Sequence, residues 1–550
     1  MASVLTTPSP GWSLIDTLLA EQGDLTAVER FAQCHQDADA PLQGRFYASL
    51  LPSRPPGPGQ QLAFEVDLDR CSGCKACVAA CHSLNGLDDE ETWRDVGLIV
   101  GGTSGLSVLQ HVTTACHHCV DPACLNACPV DAYDKDPITG IVRHLDDQCI
   151  GCQYCTLACP FDVPKYHPGK GIVRKCDMCA DRLKAGEAPA CVQSCPSEAI
   201  RIRVVDIADV AARAEAGVFL VTAPDPALTQ PTTVYKSSRP LAPGVRSADH
   251  YRLVPEHIHT PLVVMLTLTQ LSVGAILVDF LARLAGYSGG LSTLILLAVG
   301  LGCGHLGLVA STLHLGRPQY AYRALIGLRH SWLSREIATF GAFAAFATPH
   351  AALSILLPGW YGHHTGLAFT LSGLSLAAGI AGVACSVMVY HATRRPFWGA
   401  RLAFPRFGTT TCLLGSATLL LACSMAGGTT VRSLGLTAAI GMIAVAVLKL
   451  RVEATFLTLR DGREDTPLRR SALLLDGPLA PAWRLRVALC VVGGIALPTY
   501  WIALGPALFP ADGAAIALLA FLVVIAGELT ERCLFFAAVV RPKMPGGMVS

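Results

Sequence analysis

"CIGCQYCTLACPFDVPKYHPGKGIVRKCDMC", residues 149–179, places six cysteines in thirty-one positions. Its first four, Cys149, Cys152, Cys155 and Cys159, are spaced C-x2-C-x2-C-x3-C, with Pro160 next. The same spacing stands upstream in "CSGCKACVAAC", at Cys71, Cys74, Cys77 and Cys81. Two more groups keep four cysteines and change the internal spacer. "CHHCVDPACLNACP" holds Cys116, Cys119, Cys124 and Cys128, and "CDMCADRLKAGEAPACVQSCP" holds Cys176, Cys179, Cys191 and Cys195.

This spacing is that of a ferredoxin run, in which three thiolates wrap one [4Fe–4S] cube and the fourth reaches a neighbouring cube. The two altered groups then carry an inserted loop. Sixteen cysteines in fours fit four [4Fe–4S] clusters. Structural zinc also uses sets of four cysteines, but not this repeated spacing closed by proline. Disulfides need an oxidising compartment. The opening "MASVLTTPSPGWSLIDTLLAEQGDLTAVERF" shows no basic region before an apolar run and no paired arginines, so an iron–sulfur domain that stays in the cytoplasm is expected. The other seven cysteines, Cys34, Cys303, Cys385, Cys412, Cys423, Cys490 and Cys533, lack ligand spacing and read as small buried hydrophobes. His117 and His118, inside the second group, read as solvated or as outer partners of a cluster rather than ligands. Lys165 and Lys170, in "KYHPGKG", are expected on a loop over the clusters, where positive charge would raise potentials, or on an ordinary surface loop.

Outward from the cysteines the chain divides. Of 550 residues, 15% are charged and 52% hydrophobic, with 42 basic against 41 acidic side chains. That balance points to no nucleic acid or other polyanion. Residues 1–256 are mixed and polar, and 257–550 are dominated by Ala, Leu, Gly and Val. Residues 12–33 have helical periodicity, and "LPSRPPGPGQQ" reads as a stiff linker into a strand before the first cysteine group. The expected division is 1–60 helical extension and linker, 61–210 four-cluster domain, 211–256 linker, and 257–550 membrane domain.

Eight apolar segments lie near 261–285, 289–312, 333–357, 366–390, 407–427, 433–450, 487–509 and 512–538. Each approaches or exceeds the ~20 residues that cross a bilayer. The sixth is the weakest. Loops after the second, fourth and sixth are rich in arginine, whereas those after the first, third and seventh have no Lys or Arg. The positive-inside rule therefore puts both termini and the cysteine-rich part in the cytoplasm of a multi-pass inner-membrane protein.

The four cysteine groups resemble the iron–sulfur subunit of the dimethyl sulfoxide reductase family of molybdenum enzymes. The second half resembles the same family's eight-span membrane anchor, through "STLHLGRPQYAYRALIGLRHSWLSRE" (311–336), "YHATRRPFW" (390–398) and "GELTERCLFF" (527–536). The resemblance implies an α+β ferredoxin-like domain with four cluster sites, fused to an all-α eight-helix bundle. It implies a nested ligand pairing: Cys71, Cys74, Cys77 and Cys195; Cys81, Cys176, Cys179 and Cys191; Cys116, Cys119, Cys124 and Cys159; Cys128, Cys149, Cys152 and Cys155. It also implies a separate molybdopterin-containing catalytic subunit as partner, with menaquinone or ubiquinone as the exchangeable membrane substrate.

Ionisable residues in or near membrane spans mark function by default, because burying charge there is costly. A quinol must lose two protons with its two electrons, so its site needs hydrogen-bonding groups. His314, Arg335, Glu336, Glu528 and Arg532 are the candidates; helix-holding Arg–Glu pairs are the bland alternative. His305, in the second span, and Asp279 and Arg283, toward the outer side of the first, are further polar residues in the apolar half. The function expected is electron transfer between quinone and a separate S-oxide or N-oxide reductase, or a sulfite-oxidising relative. The alternatives are a redox-driven proton-translocating module and an anchor without its own quinone site.

Overall fold

The structure is a computed structural model that describes residues 44–103, 106–239, 241, 244–287, 290–462, 465–504 and 510–547, plus positions 15, 29, 33 and 36. The helix expected over 12–33 and Cys34 therefore lie almost wholly outside the described residues. The strands described are β1 (Gln60–Asp67), β2 (Asp95–Thr103), β3 (Leu106–Thr114), β4 (Tyr133–Lys135), β5 (Val142–His144), β6 (Lys165–His167), β7 (Ile172–Arg174), β8 (Ile200–Asp206), β9 (Val234–Lys236) and β10 (Arg246–Ser247). Strand β1 reads "QQLAFEVD" and is buried along its length, as a central strand must be. It pairs antiparallel with β8 and parallel with β9. Its buried Glu65 is held by Arg203 and Lys236 from those neighbours, at 2.5 and 2.8 Å. Strands β10, β2 and β3 form a second sheet, and β4–β5 and β6–β7 are small hairpins. Residues 211–256, read from sequence as a connector, thus supply β9 and β10 to the sheets.

The cysteine groups occupy loops that lead into short helices: Ala76–Leu84, Ala123–Ala127, Tyr154–Ala158 and Ala190–Gln193. In the two ferredoxin-spaced groups, Gly73 (φ +75°) and Lys75 (+61°), and Gly151 (+68°) and Gln153 (+58°), are left-handed. That curl turns backbone N–H groups inward, toward sulfur.

Among the described residues, eight helices are long and apolar enough to cross a membrane: Thr260–Leu284, Gly290–Thr312, Trp332–Leu356, Thr365–His391, Ala400–Ala426, Val431–Asp461, Ala480–Leu504 and Ala511–Ala537. They are called spans one to eight below. Spans one and five are the most buried and form the centre of the bundle. Spans five and seven start earlier than their hydropathy suggests, and span six ends later. Each displaced boundary contains a charge read as loop that is in fact buried: Arg406, Arg486 and Glu453.

The cysteine-rich domain sits on the arginine-rich end of this bundle. The loop after span two grips the third cysteine group through backbone bonds from Gly316 to Gly151 (3.3 Å) and Arg317 to Ile150 (3.0 Å). Gly151, Gly171 and Gly316 meet so closely that a Cβ on Gly316 would stand 2.1 Å from the Gly171 carbonyl oxygen. Arg317, Arg323 and Arg395 donate to the carbonyls of Asp146, Asp147 and Leu157. Tyr154 Oη, in the third group, donates to Val389 O in span four at 2.9 Å.

Past span eight the chain turns back to the cysteine-rich domain. Arg541 pairs with Asp162 at 2.8 Å and with Glu256 at 2.5 Å, and Lys543 with Asp249 at 2.5 Å. Met544 enters the apolar cluster of Val66, Leu68, Ile99 and Val112, and Gly546 O accepts from Leu98 N at 3.1 Å. Residues 541–547 are a strap that ties the last span to the β2–β3 sheet.

Candidate functional site

Two hollows in the cysteine-rich domain are each lined by four cysteines drawn from two sequence groups. Cys71, Cys74, Cys77 and Cys195 line one. Cys116, Cys119, Cys124 and Cys159 line the other, with His117, His118 and Lys175. The remaining cysteines form two more neighbourhoods. Burial, then the thiols Cys191 and Cys179, push Cys81 up to about 12. Burial and then Cys149 push Cys128 up to about 11, and Cys155 is raised by burial and by Cys152, Cys128 and Cys149. Such thiols stay neutral in water, whereas a coordinated metal strips the proton outright.

Among the described residues, no three His, Cys, Asp or Glu converge tightly enough for a single ion. A zinc ion with Zn–S bonds of ~2.3 Å would pull four sulfurs to within about 4 Å of one another. Each hollow is ringed by four thiols, a donor set that a cubic iron–sulfur cluster takes. The chemistry of the walls agrees. Backbone N–H groups point at sulfur from Ala132 to Cys128 (3.2 Å), Gly151 to Cys149 (3.4 Å), Met178 to Cys176 (3.4 Å) and Ala199 to Cys195 (3.3 Å).

His117 and His118 are buried, so the solvated reading is corrected and the outer-partner reading remains. His117 Nδ1 meets Thr233 Oγ1 at 2.9 Å, and its ring packs edge-on to Phe161. His118 Nδ1 accepts from Val142 N at 3.1 Å, which leaves the proton on Nε2. That buried Nε2 has no protein partner. An orphan donor beside a thiol-lined hollow fits a bound sulfide acceptor.

Two cations missed in the sequence lie among the cysteines. Arg94 is buried, donates to Thr113 Oγ1 at 3.1 Å and stacks over Phe64. Lys175 Nζ stands 3.6 Å from Cys116 Sγ and donates to Cys176 O at 2.8 Å and to Val142 O. Burial alone would push Lys175 down; Cys116, Cys124 and Cys176 more than offset it and hold it up. Among the described residues no carboxylate is within ion-pair distance of either cation. Buried charges need partners, and a thiolate-held cluster is the anion at hand. The expectation for Lys165 and Lys170 resolves to the surface reading: Lys165 pairs with Asp162 at 2.7 Å, and Lys170 is exposed.

The membrane-side candidates fall into separate places. His314, just beyond span two, hydrogen-bonds the backbone of Cys152, and burial holds its imidazole down at about 4. Its ring packs edge-on against His259. Glu336, near the start of span three, is buried and accepts from Ser386 Oγ. Tyr154, beside Cys152 and Cys155, lies within electrostatic reach of it. Arg335 instead faces outward, donates to the carbonyls of Leu328 and Arg329, and stacks on Trp332.

Glu528 and Arg532 belong to a different, fully buried network across spans one and five to eight. Glu528 binds Arg486 at 3.0 Å, Lys449 at 2.9 Å and Thr410 at 2.6 Å. Arg532 binds Glu531, Gln270 (2.8 Å) and the same Thr410 (3.1 Å). Arg406–Glu531 at 2.7 Å and Arg486–Glu453 at 3.0 Å complete it. At the far side of the bundle, Asp279 accepts from Arg283 (2.8 Å) and His350 (3.0 Å), and His350 meets Tyr361 Oη at 2.8 Å. His305 is exposed on span two, with Nδ1 bonded to its own Leu301 carbonyl.

Comparison with known proteins covers both halves. The family model "DMSO reductase anchor subunit" matches residues 256–538, just over half of the chain. The chain belongs to this dimethyl sulfoxide reductase anchor family. Its other half carries a "4Fe-4S dicluster domain" over residues 108–205. That half is 35% identical over 191 residues to the B subunit of the anaerobic dimethyl sulfoxide reductase of Haemophilus influenzae, covering 33% of this chain and 91% of the relative. The corresponding B subunit of Escherichia coli K12 is 37% identical over 193 residues, 33% of this chain and 92% of the relative. The thiosulfate reductase electron transfer subunit PhsB of Salmonella typhi is 38% identical over 147 residues, 26% of this chain and 76% of the relative. Two types of dimethyl sulfoxide reductase subunit are thus joined in one polypeptide.

Proposed function

We propose that this chain, an electron-transfer and membrane-anchor subunit of a dimethyl sulfoxide reductase-family oxidoreductase, moves electrons between membrane quinone and a separate molybdopterin-containing catalytic subunit. Residues 61–210 are the cluster-bearing unit, with β9 and β10 from 211–256 completing its sheets, and 257–550 are the membrane unit. The sixteen cysteines hold four [4Fe–4S] clusters in the nested pairing. Each cluster, when bound, supplies a one-electron redox step. The chain's own residues set the conditions: Arg94 and Lys175 offset negative charge, and inward N–H groups bond to sulfur.

The observation that carries the reading is the seat of the third cysteine group on the bundle. Cys152 and Tyr154 meet the ends of spans two to four, where His314 and Glu336 stand. His314 and Glu336 are the groups we assign to the quinone oxygens. Arg335 has its donors engaged by its own loop. Glu528 and Arg532 meet through Thr410 in a buried ion network, which supports a role in holding spans one and five to eight together.

Between Glu336 and the polar group at His350, span three packs Phe340, Phe343 and Ala347 into an apolar cluster with Val273, Ile276 and Leu297. That apolar layer favours an electron relay over a proton pump. The positive-inside pattern supports a cytoplasmic iron–sulfur domain. The partner then reduces an S-oxide or N-oxide or oxidises a substrate such as sulfite. Purification of the complex in mild detergent under anaerobic conditions, followed by mass spectrometry, tests the assignment. A co-purifying molybdopterin subunit is expected. Recovery of the cluster-loaded chain without one would sink the partner claim.

A further inference from the structure

Just before span one, "PEHIHTP" (255–261) carries two histidines that no sequence motif marks. The fold stacks both toward His314. The ring centroids of His257 and His259 are 5.1 Å apart, with planes at 88°. Those of His259 and His314 are also 5.1 Å apart, at 89°. Phe536 of span eight packs on the other side of His259 at 5.7 Å. His257 is exposed, whereas His259 and His314 are half-buried. Three imidazoles therefore run from water to the backbone of Cys152.

We propose that His257, His259 and His314 form a histidine file that carries the quinone's protons between the headgroup site and water on the iron–sulfur side. The proposal rests on the quinone reading above. A quinol that becomes a quinone releases two electrons and two protons. The electrons would leave singly to the oxidised clusters that the cysteine groups would hold. Each proton passes to a neutral imidazole, which takes it on one ring nitrogen and gives it up from the other, so the file returns to its starting charge. Reduction of a quinone runs the same path inward.

The geometry permits the transfer. Imidazole nitrogens stand roughly 1 Å from the ring centroid, so edge-on rotation brings neighbouring nitrogens to about 3 Å, within hydrogen-bond reach. The surroundings keep the middle ring neutral. Burial, then His314, His257, Arg541 and Arg395, hold His259 down at about 3. The nearby carboxylate Glu256 is itself engaged by Arg541. A single metal ion is a poor occupant, since no three ligands converge for one among the described residues.

The test uses the full cluster-loaded chain in lipid nanodiscs. Variants are His259→Phe, which keeps a ring for packing, and the exposed His257→Gln. Cluster reduction by a menaquinol analogue is followed by stopped flow, and quinone-site occupancy by fluorescence quenching of 2-heptyl-4-hydroxyquinoline N-oxide. We expect reduction to slow about ten- to a hundredfold, in the range of a lost proton-transfer group. Added imidazole should restore most of the rate in His257→Gln, and inhibitor affinity should stay unchanged in both variants. Unchanged rates would overturn the file. So would a parallel loss of inhibitor affinity, which would make these residues headgroup ligands. A wild-type chain that neither binds the inhibitor nor takes electrons from quinol would sink the quinone reading itself.

Discussion

Replacing Lys175 by Gln should lower the potential of the cluster ringed by Cys116, Cys119, Cys124 and Cys159. The side chain is fully buried and its ammonium stands 3.6 Å from Cys116 Sγ. At an effective dielectric of about 20, a unit charge on that sulfur would interact with it by roughly 4.6 kcal/mol. An added electron spreads over the whole cluster, so its mean distance is about double and the interaction about half, ~2.3 kcal/mol. For a one-electron couple this is about 100 mV. The cation favours the reduced, more negative state, so its loss shifts the potential downward. Gln retains a donor for Val142 O and Cys176 O, which separates charge from hydrogen bonding. An EPR-monitored redox titration of the full chain reads the shift. Exposed Lys170→Gln is the control and should move no potential by more than about 20 mV, because solvent screens a surface charge. A shift below that size in Lys175→Gln, or an upward one, would refute the reasoning.

Three other outcomes follow from the packing. Cys195→Ser should alter the same EPR signal as Cys71→Ser, and Cys191→Ser the same signal as Cys81→Ser; pairing by sequence order would couple Cys191 and Cys195 instead. Arg486→Ala leaves Glu453 and Glu528 to share Lys449 in the bundle and should cost about 3 kcal/mol, the low end for a broken buried pair, read as a lowered Tm of the detergent-solubilised chain. Lys543→Ala should speed hydrogen exchange at the Leu98 amide two- to fivefold, the effect of a half-exposed pair worth about 0.5–1 kcal/mol. Lys543 and Ser247 hold Asp249 below its usual carboxylate range against the upward push of burial. Its contribution to the strap is therefore complete above the ordinary value near 3.9 and is lost as pH falls through the lower folded value, so the exchange difference should vanish in that acid window.

The cysteine groups were legible because covalent chemistry fixes spacing along the chain. Eight spans were legible because a bilayer demands length and apolarity. The boundaries of spans five, six and seven were not. Arg406, Glu453 and Arg486 look like loop residues until their partners on other helices are known, and pairing across helices leaves no local pattern. The same holds for the arginine-rich loops. Arg317, Arg323 and Arg395 belong to the charge pattern from which topology is expected, yet each also holds a carbonyl of the cysteine-rich domain. Arg94 and Lys175 were invisible for a further reason. Nothing near Arg94 in sequence marks it as facing thiols, and Lys175 adjoins Cys176 but reaches Cys116. His257 and His259 carried a signal that was available: two histidines spaced H-x-H at the mouth of a span. Their meaning came only when His314 packed against them.

The central claim is that electrons pass between membrane quinone and the cluster-bearing domain of this one chain. The most direct measurement adds menaquinol to the oxidised full chain in nanodiscs under anaerobic conditions and counts reduced clusters by EPR. The account expects quinol-dependent reduction that His314→Ala abolishes while dithionite still reduces all four clusters in both proteins. Clusters that dithionite reduces but menaquinol leaves oxidised in the wild-type chain would contradict it.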